Sequence, residues 1–267
     1  MSEPRVLYHR DGAVVTLTLN RPDELNAFSE APMIDAFLAA LDRVEAEGDV
    51  ACVVLTGAGR AFSAGGNVKH MRDKTDMFAG TAADIEKAYA DGIHQVPKRL
   101  WHFETPVVAA VNGPAYGAAL DLVCMCDIRI ASTAAKFGAP FVKIGISPGD
   151  GAAWFLNRVV GPSVAAELIL TGEAVDAETA KAMGLVSRVV EPDDLMTEAV
   201  GMAERIAANA PLALKLSKRL LKAAPRQELE DHLAMCAAYQ GMLHGTEDHA
   251  EAVAALLDKR KPVFTGR

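Results

Sequence analysis

Cysteine, aromatic residues and excess positive charge are all scarce in this chain of 267 residues, which has four cysteines, 6% aromatics and a net charge of −8. Cys52, Cys124 and Cys126 lie inside apolar runs, where a free thiol behaves as a small hydrophobe, so the four cysteines, Cys236 included, are read as reduced. Cys124 and Cys126 are separated by one residue with no His/Cys pair following at ligand spacing, which argues against zinc. No apolar run reaches the ~20 residues that span a bilayer. Met1–Arg5 is polar and offers no hydrophobic signal core. A cytoplasmic protein without membrane association is therefore expected. The acidic balance, with a pI near 5.4, disfavours nucleic acid as a partner. Neither a Gly-x-x-x-x-Gly-Lys-Ser/Thr phosphate loop nor a dinucleotide fingerprint is present, which weakens kinase and dehydrogenase readings.

What is present is an ordinary globular composition, 51% apolar and 23% charged, in a chain long enough to bury a core without disulfides or metals. Ala13–Leu19 alternates as a strand and stops at Asn20-Arg21-Pro22-Asp23. Between Glu30 and Ala46, the residues Met33, Phe37, Leu38, Leu41 and Val44 recur at the spacing of an amphipathic helix. Ala51–Thr56 is continuously apolar, as a strand buried on both faces would be. The polar stretch Lys69–Arg99, with His70 and His94 inside it and His102 just beyond, reads as a weakly helical flap. These histidines are expected to fill surface or core, with an acid or base role as the alternative, and Met71, Met77 and Phe78 to pack or to line a pocket. Val107–Val111 predicts a strand, Ala115–Met125 a helix and Asp127–Ala131 a strand. Beyond Glu191-Pro192 the pattern is helical almost throughout. The division expected is an α/β core over 1–191 and a helical region over 192–267.

Two stretches carry the chemistry: Phe62-Ser63-Ala64-Gly65-Gly66-Asn67 and Asn112-Gly113-Pro114-Ala115-Tyr116-Gly117-Ala118-Ala119. Each follows a buried strand. Small residues at a strand-to-helix junction let a ligand approach the main chain and leave N–H groups free to face an anion. Two such donors converging from separate loops make an oxyanion hole; tight turns and close packing are the alternative reading.

The order of motifs along the chain resembles the crotonase (enoyl-CoA hydratase/isomerase) superfamily. They run from Leu19-Asn20-Arg21-Pro22 and Leu25-Asn26-Ala27 through Ala61–Lys69 and Ala110–Ala115 to Cys126-Asp127-Ile128-Arg129. Phe137-Gly138-Ala139-Pro140, Gly145-Ile146-Ser147-Pro148-Gly149, Leu170-Thr171-Gly172, Ala180–Val186 and Asp258–Lys261 complete the series. The resemblance implies a spiral of ββα turns with a C-terminal helical trimerisation region, assembling as a homotrimer or a dimer of trimers. It also implies an acyl-CoA thioester as substrate, with no cofactor beyond the CoA carried on that substrate. The thioester oxygen is expected at the N–H groups of Ala64 and Ala118. The CoA moiety is expected along Glu24, Leu25, Gly65, Gly66, Asn67 and Val68, and Lys259 is expected to meet its phosphate from a neighbouring subunit.

Two departures qualify the activity. A hydratase of this family sets two glutamates against one water, and here the first position is Asp121 and the second Phe141, which cannot exchange protons. Asp150, in Pro148-Gly149-Asp150-Gly151, is the expected substitute, on the analogy of a β-diketone hydrolase branch with a similar segment. Alternatively it caps the following helix. Asp127 is expected to be structural. The leading reading is an enoyl-CoA hydratase or isomerase using Asp121 and Asp150, with Phe141 in the acyl pocket. A C–C bond or thioester hydrolase using Asp150 and a non-catalytic CoA-binding protein are the alternatives.

Overall fold

A computed structural model describes residues 3–267, so the polar N-terminal stretch lies partly outside the described residues. The first strands are β1 (Val6–Asp11), β2 (Val14–Leu19) and β3 (Cys52–Gly57). They are followed by β4 (Val107–Val111), β5 (Ala115–Tyr116), β6 (Ile128–Ser132) and β7 (Lys136–Gly138), then β8 (Ala174–Asp176) and β9 (Arg188–Val190). A six-stranded sheet has the order β1-β2-β3-β4-β6-β9, parallel throughout except for the antiparallel β1-β2 pair. A small sheet, β5-β7-β8, stands beside it. The continuous apolar runs of β3 and β4 are explained by burial of every residue in both, as parallel strands covered on two faces require.

One face of the main sheet packs against helix Ala31–Glu47 and the helices around Ala118–Met125. The other packs against helix Leu195–Ala207, whose Leu195, Ala199 and Ala203 meet Val54, Val108 and Ile130. That helix therefore completes the core. It lies beyond the expected boundary at 191/192, and removing it would uncover a sheet face. The helices that follow, Pro211–Ala223, Leu229–His244 and Glu247–Leu257, form the outlying region.

The expected flap is three helices, Val68–Asp73, Ala82–Asp91 and Gln95–His102. Sparse apolar residues hid them from the pattern, although Thr81 and Asp84 form a capping box at the start of the second. Among the described residues, no helix is long and apolar enough to cross a membrane.

The outlying region is fastened by two lysines. Lys218, 7% exposed, reaches the Asp127 carboxylate at 2.6 Å and donates to the Thr105 carbonyl at 2.7 Å. Asp127 also accepts the Val107 N–H at 2.8 Å, which supports its structural role. Lys222 donates to the Leu100 and Trp101 carbonyls in the last turn of helix Gln95–His102, where a cation also complements the helix dipole. Burial lowers its pKa to about 8. Lys218→Met leaves the buried Thr105 carbonyl without its donor and removes the ion pair to the more exposed Asp127, and a loss of about 2 kcal/mol is expected in urea unfolding.

Candidate active site

The two small-residue loops meet because of one glycine. Gly65 has φ +77°, and a Cβ there would stand 2.2 Å from the Tyr116 carbonyl oxygen and 3.2 Å from the Ala118 nitrogen. Only a residue without a side chain allows that approach. A bridge between Ser63 and Ala115 holds the loops in register, with the Ser63 N–H donated to the Pro114 carbonyl at 3.1 Å and the Tyr116 N–H to the Ser63 carbonyl at 3.2 Å. Asn26, fully buried and left-handed at φ 54°, accepts the Arg21 N–H and donates to the Ala58, Ala61 and Phe62 carbonyls. This is the structural use of the Leu25-Asn26-Ala27 motif.

The donors differ from expectation at one position. The Ala64 N–H is donated to the Leu25 carbonyl at 2.8 Å, so it is not free to face a ligand. Two residues on, the Gly66 N–H has no acceptor among the described residues, and neither has that of Ala118, the first residue of helix Ala118–Met125. First-turn amides have no intrahelical acceptor, and such groups favour an anion. The first loop therefore offers a free amide at Gly66 and not at the expected Ala64, and the second offers one at Ala118.

Gly66 and Ala118 line a chamber of about 130 Å³, as do Ala64, Gly117, Phe141 and Asp150. A vestibule of about 1030 Å³ adjoins it, and Val68, Met71, Phe78, Tyr89, Ile144 and Ile146 line both. Phe141 is 7% exposed and packs beside Gly117. Asn67 caps helix Val68–Asp73, accepting the Lys69 N–H at 3.1 Å and donating its own N–H to the buried Ser29 hydroxyl at 3.0 Å. Glu24, ion-paired to Arg21 at 2.9 Å, lines neither cavity; Leu25, Asn67 and Lys259 do not line them either.

The two aspartates take different places. Asp150 lines the chamber and is 8% exposed; Asp121 is fully buried and does not. Asp121 accepts the Ala152 N–H at 3.2 Å, so it supplies the start of helix Ala152–Val160 with a carboxylate from outside. Asp150 makes no side-chain cap to that helix, whose N-cap is Gly151, and the helix-cap alternative for it does not hold. One oxygen of each carboxylate is buried with no hydrogen-bond partner. Burial, and then the nearby Asp150 charge, push Asp121 well above the usual carboxylate range. Burial raises Asp150 to about 6, opposed by His94.

Tyr89 and Ile93 were not singled out from sequence, and His94 was expected mainly to fill surface or core, yet Tyr89 and Ile93 line the chamber and His94 the vestibule. Nothing in their spacing signals this. It follows from helix Ala82–Asp91 folding over the loop of Asp150.

The enoyl-CoA hydratase/isomerase family model matches residues 9–267. The chain belongs to that family. Relatives include a probable enoyl-CoA hydratase of Mycobacterium tuberculosis, 38% identical with both chains covered entirely. The 1,2-epoxyphenylacetyl-CoA isomerase of Escherichia coli is 36% identical over 98% of this chain and 98% of its own. An enoyl-CoA hydratase crystal structure from Bacillus anthracis superposes with a TM-score of 0.92 at 30% identity, covering 98% of this chain and 100% of that one. The crotonase fold expected from the motif order is thus shown across the chain.

Within this family member the contact at Gly65 is a sharp test of the geometry. Gly65→Ala places a methyl group against the Tyr116 carbonyl in a left-handed conformation. A loss of about 2 kcal/mol or more is expected in thermal unfolding.

Proposed function

We propose that the protein binds an acyl-CoA thioester with its carbonyl oxygen at the Gly66 and Ala118 N–H groups, and that Asp150 carries the proton to and from the acyl chain. The observation that carries this reading is that two residues with unaccepted amides line the same small chamber as one carboxylate. Backbone donors fixed by a bridge and a glycine contact cost little reorganisation when negative charge develops on an oxygen, and an enolate is such a charge. A base with a pKa near 6 is ionised at neutral pH and still basic enough to take a proton acidified by the thioester.

A single accessible carboxylate suits a proton shift best. Asp150 removes a proton from carbon 2 of a 3-enoyl thioester, the electron pair delocalises onto the oxygen held by the two amides, and the same carboxyl returns the proton at carbon 4. The product is the conjugated 2-enoyl thioester, with no net gain or loss of atoms. Hydration of a 2-enoyl-CoA is the second reading. Curated relatives named as hydratases favour it, as does the unpartnered oxygen of Asp121 behind Asp150.

The outlying helices leave Leu221, Leu229, Leu233, Leu256 and Leu257 between 54% and 79% exposed. An apolar set of this kind supports self-association as a trimer or a dimer of trimers. Lys259, exposed and outside both cavities, is assigned to CoA phosphate across such an interface.

Enoyl absorbance separates the two reactions. Isomerisation predicts that absorbance appears from 3-enoyl-CoA and persists with 2-enoyl-CoA, whereas its disappearance from 2-enoyl-CoA establishes hydration. Asp150→Asn is expected to lower kcat by at least about 100-fold in either case, and a rate within a factor of a few of the parent sinks the assignment. Because the carboxylate is the active form, kcat/KM should fall as pH drops through about 6, reading the raised Asp150 value.

A further inference from the structure

Between helices Ala82–Asp91 and Gln95–His102, one side chain reaches the loop that carries Asp150. His94 Nε2 lies 2.7 Å from the Gly149 carbonyl oxygen. A carbonyl only accepts, so Nε2 bears the hydrogen in the neutral and the charged ring alike. The His94 main-chain N–H is donated to the Tyr89 carbonyl at 3.0 Å, and the two rings meet edge-on with centroids 5.7 Å apart. The Tyr89 ring in turn lies against Gly149, where a Cβ would come within 2.8 Å of it. One polar and one steric contact thus fix the residue immediately before Asp150.

This step rests on the reading of Asp150 as the proton carrier. We propose that His94 is a positioning residue: through the Gly149 carbonyl it aims the Asp150 carboxylate, and as imidazolium it supplies a positive field beside it. Among the described residues, no other group facing Asp150 does this. The groups that face it are His94, the Tyr89 phenol from helix Ala82–Asp91 and Asp121 from helix Ala118–Met125. Arg72, Lys74 and Glu86 share the vestibule with His94. Burial destabilises the Asp150 carboxylate and His94 opposes that effect, so loss of the imidazole moves Asp150 further up.

Two variants separate aiming from field. His94→Gln keeps an N–H able to reach the carbonyl but removes the charge; His94→Ala removes both. With 3-enoyl-CoA or 2-enoyl-CoA as substrate, His94→Ala is expected to lose about tenfold in kcat with KM within about twofold, as a small misplacement of a proton carrier would cause. His94→Gln should recover most of kcat. In both variants the acid limb of kcat/KM should move upward by about half a pH unit. Carbon-13 NMR titration of labelled aspartate in wild type and His94→Gln, assigned with Asp150→Asn, reads the same shift without turnover. An unmoved Asp150 titration overturns the field, and wild-type kcat in His94→Ala overturns the aiming. Full activity in Asp150→Asn would instead overturn the reading beneath both, while the NMR titration still reports whether His94 acts on Asp150.

Discussion

The contact between Gly65 and the Tyr116 carbonyl is the constraint on which the site depends. Two loops leaving different strands of one sheet are forced together there, at a distance that no Cβ tolerates. The bridge between Ser63 and Ala115 and the buried Asn26 network keep them there. The consequence is electronic as well as geometric: Gly66 and Ala118, whose main-chain N–H groups have no acceptor among the described residues, line the same chamber. A donor pair made from backbone cannot drift as side chains do, and it places few demands on side-chain identity beyond small size. Ala118, in a helix's first turn, meets that size limit.

Where the resemblance implies a pair of glutamates, the chain has Asp121 and Phe141, and Asp150 lines the chamber. Phe141 turns one acid position into apolar wall, and Asp121, shortened by a methylene, withdraws from the chamber to hold the first turn of helix Ala152–Val160. That same helix start follows directly on Asp150, so the residue that lost its place in the chamber orients the loop of the residue that gained one. The low polarity around both raises their proton affinity, which brings Asp150 into the range where a carboxyl exchanges protons readily near neutral pH.

The sequence made much of this legible because the chemistry is built from glycines, small residues and ordered motifs, which keep their signature in one dimension. The buried strands β3 and β4 were visible as unbroken apolar runs, and the motif order pointed to a fold that the family match bears out. Three features were not legible. Which amide of Ala64-Gly65-Gly66 is free depends on a hydrogen bond to Leu25, nearly forty residues away along the chain, and spacing carries no trace of it. The role of helix Leu195–Ala207 as the cover of a sheet face cannot be told from an outlying amphipathic helix until its partners are known. The approach of Tyr89 and His94 to the Asp150 loop arises from packing between segments whose own apolar pattern is weak.

The most direct test is exchange of the α-proton of a saturated acyl-CoA with deuterated solvent, followed by mass spectrometry or proton NMR. It asks only whether the enzyme forms an enolate and which group moves the proton, whatever product the natural substrate yields. The account predicts exchange catalysed by the wild type, abolished in Asp150→Asn and largely kept in Asp121→Asn. Exchange that survives in Asp150→Asn, or that is lost only in Asp121→Asn, would contradict it.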